Sequence, residues 1–341
     1  PLGIACENGH VDSARALLQA SSDPNLARAN GWTHLVTAAY NGYTSVVRVL
    51  VEGGASPDLA KANGYNAVIA AAYNGFDEMV ATLLELGATA DAPMSNGWNA
   101  LMVASAQGHP RVVARLCEAN ADSDYCRPSN HFSALMAAVS APHGATCANI
   151  LLQHGATVDL QDKHGCTALM HAAYHGHSEA VQVLLQSLAS VNAARTGGTT
   201  ALIDAAAGGH EAAIQLLVDA KADADVADGY GFTALMHAAK AGHDAAMLPL
   251  LRATRAINRK DKSGQSALDH AASPAAIARL LQVGAEQSRE FRRRMHEADG
   301  GAKGAAKSKA GSPALAKAAS TGSPQAKGST PQPPTSGNQS A

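Results

Sequence analysis

The feature that most constrains this chain is self-similarity at a fixed step. "GWTHLVTAAYNGYTSVVRVLVEGGA", beginning at Gly31, returns as "GYNAVIAAAYNGFDEMVATLLELGA" at Gly64 and as "GWNALMVASAQGHPRVVARLCEANA" at Gly97, a step of 33 residues. Further copies begin at His131, Gly165, Gly198, Gly231 and Gly264, with one extra residue in the steps ending at His131 and Gly165. An incomplete copy fills residues 1–30 and brings the total to nine units. Such a period means a stacked array, in place of the two or three domains that 341 residues would otherwise suggest.

Each unit has the same local reading. Alanine and leucine at helical spacing ("TALMHAA") predict a short helix, Gly-His or Gly-aromatic predicts a turn, and a second helix ends in a hydrophobic pair before Gly-Ala. Two helices and a turn cannot bury themselves. The pairs Leu50–Val51, Leu83–Leu84, Leu116–Cys117, Leu151–Leu152, Leu184–Leu185, Leu217–Val218, Leu250–Leu251 and Leu280–Leu281 recur in register, so stacking makes one core of them. Hydrophobic content of 46% with few aromatics favours small side chains and close helix contacts, an all-α class.

With "GCTALMHAAYHGH" at Gly165 and "GFTALMHAAKAGH" at Gly231, each followed by a hydrophobic pair, residues 1–285 resemble the ankyrin repeat. That family's commonest phrase is G-x-T-P-L-H-x-A-A-x-x-G-H with a later L-L-x-x-G-A. The resemblance implies an ankyrin-repeat solenoid of helix-turn-helix units joined by β-hairpin-like loops. Alanine usually replaces the family's proline, and Val36, Ile69, Met102, Met136, Met170, Ile203 and Met236 replace its histidine, which orders the turn through a threonine. These units are therefore expected to rely more on apolar packing.

Irregularities mark expected weak points. Pro142 precedes the turn of unit five, where local bending is expected. Pro249 inside a second helix predicts a kink or early break. Unit nine lacks the Gly-His turn and reads as a C-terminal cap. No matching N-terminal cap is visible: either further units precede Pro1, or the outer face of unit one is apolar and exposed. The organisation expected is a solenoid over 1–286, a short basic helix over 287–299, and a disordered tail over 300–341 rich in Lys, Ala, Ser and Pro.

For function, the stretch "KHGCTALMHAAYHGHSEAVQVLL" from Lys163 invites a metal reading, because His171 and His175 stand four apart. The other units argue against it. His177 shares its slot with His10, His109, His210 and His243, but also with Tyr43 and Phe76, and phenylalanine is no ligand. A zinc reading is left only for His171 with His175; no metal or cofactor is otherwise expected. No G-x-S-x-G, G-x-x-x-x-G-K-[ST] or H-E-x-x-H occurs, and no enzyme is predicted.

What the repeat leaves over is the aromatics. After the unit-start glycine stand Trp32, Tyr65, Trp98, Phe132 and Phe232, and on the first helix, facing the concave side in the family, stand Tyr40, Tyr73 and Tyr174. They read either as anchors for a protein or extended peptide or as packing between neighbouring hairpins. The anchor reading makes the chain a non-catalytic, monomeric interaction scaffold. Two alternatives are a substrate-recruiting module of an enzyme encoded upstream of Pro1, and a nucleic-acid adaptor acting through the tail. Of 26 Lys plus Arg and 28 Asp plus Glu, nine and three fall in residues 287–341, leaving 17 against 25 in the body. The acidic body favours a basic partner, while the basic tail, with Ser312, Ser323 and Thr330 before prolines as phosphorylation candidates, could touch nucleic acid. Five cysteines without a C-x-x-C pair predict reduced thiols, hence a cytoplasmic or nuclear setting. No apolar window suggests a transmembrane segment or leader.

Overall fold

The structure, a computed structural model, describes residues 1–283. The helix expected over 287–299, the tail over 300–341, and Ser312, Ser323 and Thr330 lie outside the described residues.

Among the described residues there are helices and no strand. Helices α1 (Leu2–Glu7) and α2 (Val11–Gln19) form unit one, then α3 (His34–Tyr40) and α4 (Thr44–Glu52), α5 (Ala67–Asn74) and α6 (Asp77–Glu85), α7 (Ala100–Gln107) and α8 (Pro110–Glu118), and α9 (Ala134–Ser140) and α10 (Ala145–Gln153). Units six to nine are α11 (Ala168–His175) with α12 (Ser178–Gln186), α13 (Ala201–Gly208) with α14 (Glu211–Asp219), α15 (Ala234–Ala241) with α16 (Asp244–Ala253), and α17 (Ala267–His270) with α18 (Pro274–Gln282). Odd-numbered helices pack on odd neighbours from α1 to α17, and even on even from α2 to α18, which makes two parallel layers around one hydrophobic core. Between units the chain forms a finger-like loop, closed in four places by an isolated antiparallel bridge, such as Ala194 with Thr200. No helix among the described residues is long and apolar enough to cross a membrane.

The inner, odd-numbered helices start where a short polar residue replaces the missing intrahelical acceptor. Thr33, Asn66, Asn99, Ser133, Thr167, Thr200 and Thr233 each accept from the backbone N–H three residues on, that of Val36, Ile69, Met102, Met136, Met170, Ile203 and Met236. Those seven acceptor-capped positions are the ones where the family's histidine is replaced, and all are at most 2% exposed. Apolar packing has taken over there, as expected. In α5, Ala67 to Ala72 are all buried, because small side chains let the neighbouring backbones close in on every side.

In four units the histidine that begins the turn into the outer helix fastens the unit to the one before. His109, His210 and His243 donate from Nε2 to the carbonyls of Tyr73 (3.0 Å), Tyr174 (3.0 Å) and Ala207 (3.2 Å), and His177 donates from Nδ1 to Val139 (2.8 Å). These carbonyls lie in the last turn of the preceding inner helix, where no intrahelical donor remains. The same rings lie over the preceding turn glycine: a Cβ on Gly75 would stand 2.8 Å from the His109 ring, and one on Gly9 the same distance from Tyr43. Histidine, tyrosine and phenylalanine interchange here because covering that glycine needs only a flat ring. In each closing pair the first member is fully buried, as in Leu83, Leu151 and Leu217, while the second is partly covered, except that Cys117 is buried and Leu281 is exposed.

Two expectations change. Helix α16 runs unbroken through Pro249 to Ala253. The proline removes one backbone donor, but the residue whose carbonyl would have received it, Ala245, is exposed to solvent, and Pro249 itself is buried in the stack. In unit five the irregularity is taken up inside the turn: α9 stops at Ser140, Ala141 is extended, and Gly144 lies so close to the Ala138 carbonyl that no Cβ fits there. Packing of α9 on α7 and α11 is retained. Unit nine does depart as expected, with a four-residue α17 started by a Ser266–Asp269 capping box. In unit one, Ile4 is 65% exposed.

Among the described residues five that are not glycine, Ser21, Asn120, His131, Leu188 and Lys221, are held at positive φ, which L side chains disfavour. After the outer helix, Gly54, Gly87 and Gly155 take positive φ, and in unit six Leu188 does so at φ 61 with its side chain 87% exposed. Leu188→Gly is expected to raise stability by roughly 1 kcal/mol, read as a higher urea midpoint. An unchanged or lower midpoint would mean that no strain is stored there.

Candidate functional site

The fingers are built on one backbone frame with two side-chain chemistries. In every finger, the N–H three or four residues before the tip donates to the carbonyl just after it, as from Lys61 to Tyr65, Met94 to Trp98, Asp162 to Cys166, Arg195 to Thr199 and Asp228 to Phe232. In the N-terminal units the tip is held by asparagine: Asn30, Asn63, Asn96 and Asn130 accept from the N–H two residues on. In the C-terminal units an aspartate three residues before the tip does this work, with Asp162, Asp228 and Asp261 each accepting from two N–H groups.

The aromatics divide accordingly. Trp32 meets Tyr40 edge-on at 5.3 Å, lies 6.0 Å from Tyr65, and carries Lys61 Nζ over its ring at 5.3 Å. Trp98 lies 6.5 Å from Phe132 under the Arg127 guanidinium at 5.6 Å. Tyr65, Trp98 and Phe132 are only 3%, 2% and 4% exposed. Of the two readings open to the aromatics, packing between neighbouring hairpins is the one that fits these three rings, which turn inward and fill the gap between fingers. The Tyr65 hydroxyl and the Trp98 indole N–H find no hydrogen-bond partner among the described residues, and burial pushes the Tyr65 phenol well above its ordinary range. Trp32, Tyr40, Tyr73 and Phe232 are half-buried against the core, and Tyr174 is 39% exposed.

In units six to nine the finger is tied to its own inner helix by a charged or polar brace nine residues long. Asp162 meets His171 at 3.2 Å, Arg195 meets Asp204 at 2.9 Å, Asp228 meets His237 at 2.9 Å and Asp261 meets His270 at 2.7 Å. Unit seven has the same contact with its polarity reversed. The common nine-residue offset of these histidines from an acid is a signal in the sequence that the reading above missed.

The brace also bears on the metal reading. Asp162, Cys166 and His171 bring three ligand atoms within 4.8 Å of one another. Yet the Asp162 oxygens already accept from the backbone of His164 and Cys166 and from His171, and the Arg195 guanidinium stands 3.7 Å from the Cys166 sulfur. A resident cation beside the thiol opposes a second one. The same Asp–His contact occurs in units eight and nine with Phe232 and Gln265 in the cysteine slot, so it needs no metal. Burial pushes the Cys166 thiol up to about 11, with Asp162 adding to the effect and Arg195 opposing it. His171 and His175 do not act together: His171 turns to Asp162, while His175 stacks on His177 at 5.5 Å and meets Tyr174 edge-on.

Between the fingers and inner helices of units seven to nine lies an open groove of about 820 Å³. Its lining includes Ala207 of α13, Phe232, Lys240 of α15, and the finger residues Gly197, Tyr230 and Lys262. Tyr230 is 64% exposed, and Lys240 Nζ lies over the Phe232 ring at 4.9 Å. The Arg195–Asp204 pair also lines this groove.

Two outcomes are expected. Trp98→Ala should lower stability by about 3–5 kcal/mol, seen as an early urea transition by circular dichroism, whereas a near-unchanged transition would return Trp98 to the surface. For Asp204, burial costs the charged form more than Arg195 returns, and its carboxyl is pushed from 3.8 up to about 6. The fold then holds a proton that the unfolded chain releases, so stability should fall as pH rises from about 4 through about 6. Asp204→Asn should flatten that segment of a pH series of urea midpoints; an identical slope would show that Asp204 does not titrate there.

Among curated proteins, none matches the chain closely enough to be named as a relative. A family model described as ankyrin repeats (3 copies) matches in overlapping stretches, residues 2–94, 53–127, 86–162, 135–228 and 214–290. Those stretches leave no gap from residue 2 to 290 and coincide with the stacked units, their capped inner helices and their fingers. The chain belongs to the ankyrin repeat family, whose members are generally protein–protein interaction modules.

Proposed function

We propose that this protein is a non-catalytic scaffold that binds a protein segment or peptide, as a monomer, through the groove between its fingers and inner helices. The observation that carries this reading is the open groove over units seven to nine, with Tyr230 64% exposed beside it. Concave sites with a few apolar surfaces and convergent polar groups are where ligands dock. Of the aromatics picked out by the repeat, Trp32, Tyr40, Tyr73, Tyr174 and Phe232 keep exposed edges and extend the same binding face, while Tyr65, Trp98 and Phe132 serve it indirectly by holding the fingers in place.

Panning a displayed random-peptide library on the full chain tests this. Ala207 is exposed and lines the groove, so Ala207→Trp fills it without disturbing the core. Selected peptides are expected to lose about tenfold or more in affinity for the variant, with its thermal transition unchanged. Peptides that bind the folded variant as tightly as the parent would overturn the reading.

A further inference from the structure

The groove is charged in a way that the rest of the body is not. Five formally charged residues line it: Arg195, Lys240, Lys262, Asp204 and Asp228. Both carboxylates are already engaged. Asp204 is held by Arg195 at 2.9 Å; Asp228 accepts from His237 on one oxygen and from the N–H groups of Tyr230 and Phe232 on the other. Their side chains are 6% and 8% exposed, so neither faces a ligand as a free anion. Lys240 and Lys262, by contrast, are exposed, and neither has a carboxylate within salt-bridge distance among the described residues. Lys240 is steered by the Phe232 face, and Lys262 is fixed at the finger by its backbone bond to the Tyr230 carbonyl. Two available ammonium groups thus face one concave site in a body that holds 17 basic against 25 acidic residues over 1–286.

Resting on the reading of this groove as a docking site, we infer that its ligand is an acidic peptide segment of a partner protein, bound with its carboxylates at Lys240 and Lys262. The exposed Tyr230 ring, Ala207 and the free edge of Phe232 take the apolar side chains between them. The fingers are bare at Gly197 and Gly229, whose backbones are joined by a 2.6 Å hydrogen bond, so an extended chain can approach closely. The overall acidity of the body suggested a basic partner; at this concave site the local sign is the opposite. A nucleic acid fits less well, because a phosphate backbone needs a run of cations and here two are set in an acidic surface.

The test uses the full chain and fluorescence anisotropy with three labelled probes of equal length: a peptide of glutamates alternating with leucines, its glutamine counterpart, and a single-stranded oligothymidylate. The glutamate peptide is expected to bind about tenfold or more tightly than the glutamine peptide and to weaken as salt is raised. Lys240→Gln with Lys262→Gln should remove that preference at an unchanged thermal transition, both residues being exposed. If the glutamate peptide binds the double variant as well as the parent, its binding belongs to the basic residues 287–341 and the inference is overturned. Equal binding of glutamate and glutamine peptides, sensitive to Ala207→Trp, would overturn the charge preference while leaving the docking site standing. Oligothymidylate binding lost on the double lysine substitution would overturn the choice of peptide.

Discussion

A pair of short helices cannot hide its own apolar face, and every other feature here follows from that. Units of this kind gain stability only by lending surface to each other, so the core is continuous from Leu2 to Leu280. Alanine dominates the inner layer because the helices must approach closely, and the larger residues sit where the two layers meet. The turn rings serve the same need: they carry the stack across the point where each inner helix ends and its last carbonyls would otherwise lie open.

On this shared frame the chain uses two ways of holding its fingers. The N-terminal fingers rest on rings and cations above them, Lys61 on Trp32 and Arg127 on Trp98, with asparagines shaping the tips. The C-terminal fingers are pinned to their own helices by Asp–His or Arg–Asp contacts. Rings fill space; braces span it. Where braces do the holding, in units seven to nine, a groove is left with two lysines beside it. The change of chemistry falls after unit five, where the step length and the turn are also irregular.

Much of this was legible in the sequence. The helices, the turns, the scaffold role of His177 and the apolar pair that closes each unit all follow from comparison among the units, since a position that tolerates histidine and phenylalanine alike cannot be chosen for chemistry. The inward direction of Tyr65, Trp98 and Phe132 was not legible, because a tip residue turns in or out according to the next finger, a contact that the pattern within one unit does not encode. Pro249 misled for a related reason: the cost of a lost donor depends on whether the orphaned carbonyl reaches water, and only the packed structure places Ala245 on the surface. The sign of the groove was hidden by the total charge, since Asp204 and Asp228 count as acids in the sequence but are spent inside the fold.

Where a histidine reaches back across an interface, it takes a main-chain carbonyl as its partner, on Tyr73, Val139, Tyr174 or Ala207. Every inner helix offers such a carbonyl whatever its side chains are. An array joined in this way can be lengthened or shortened by whole units through duplication or deletion, and each new junction is made from parts that both sides already own.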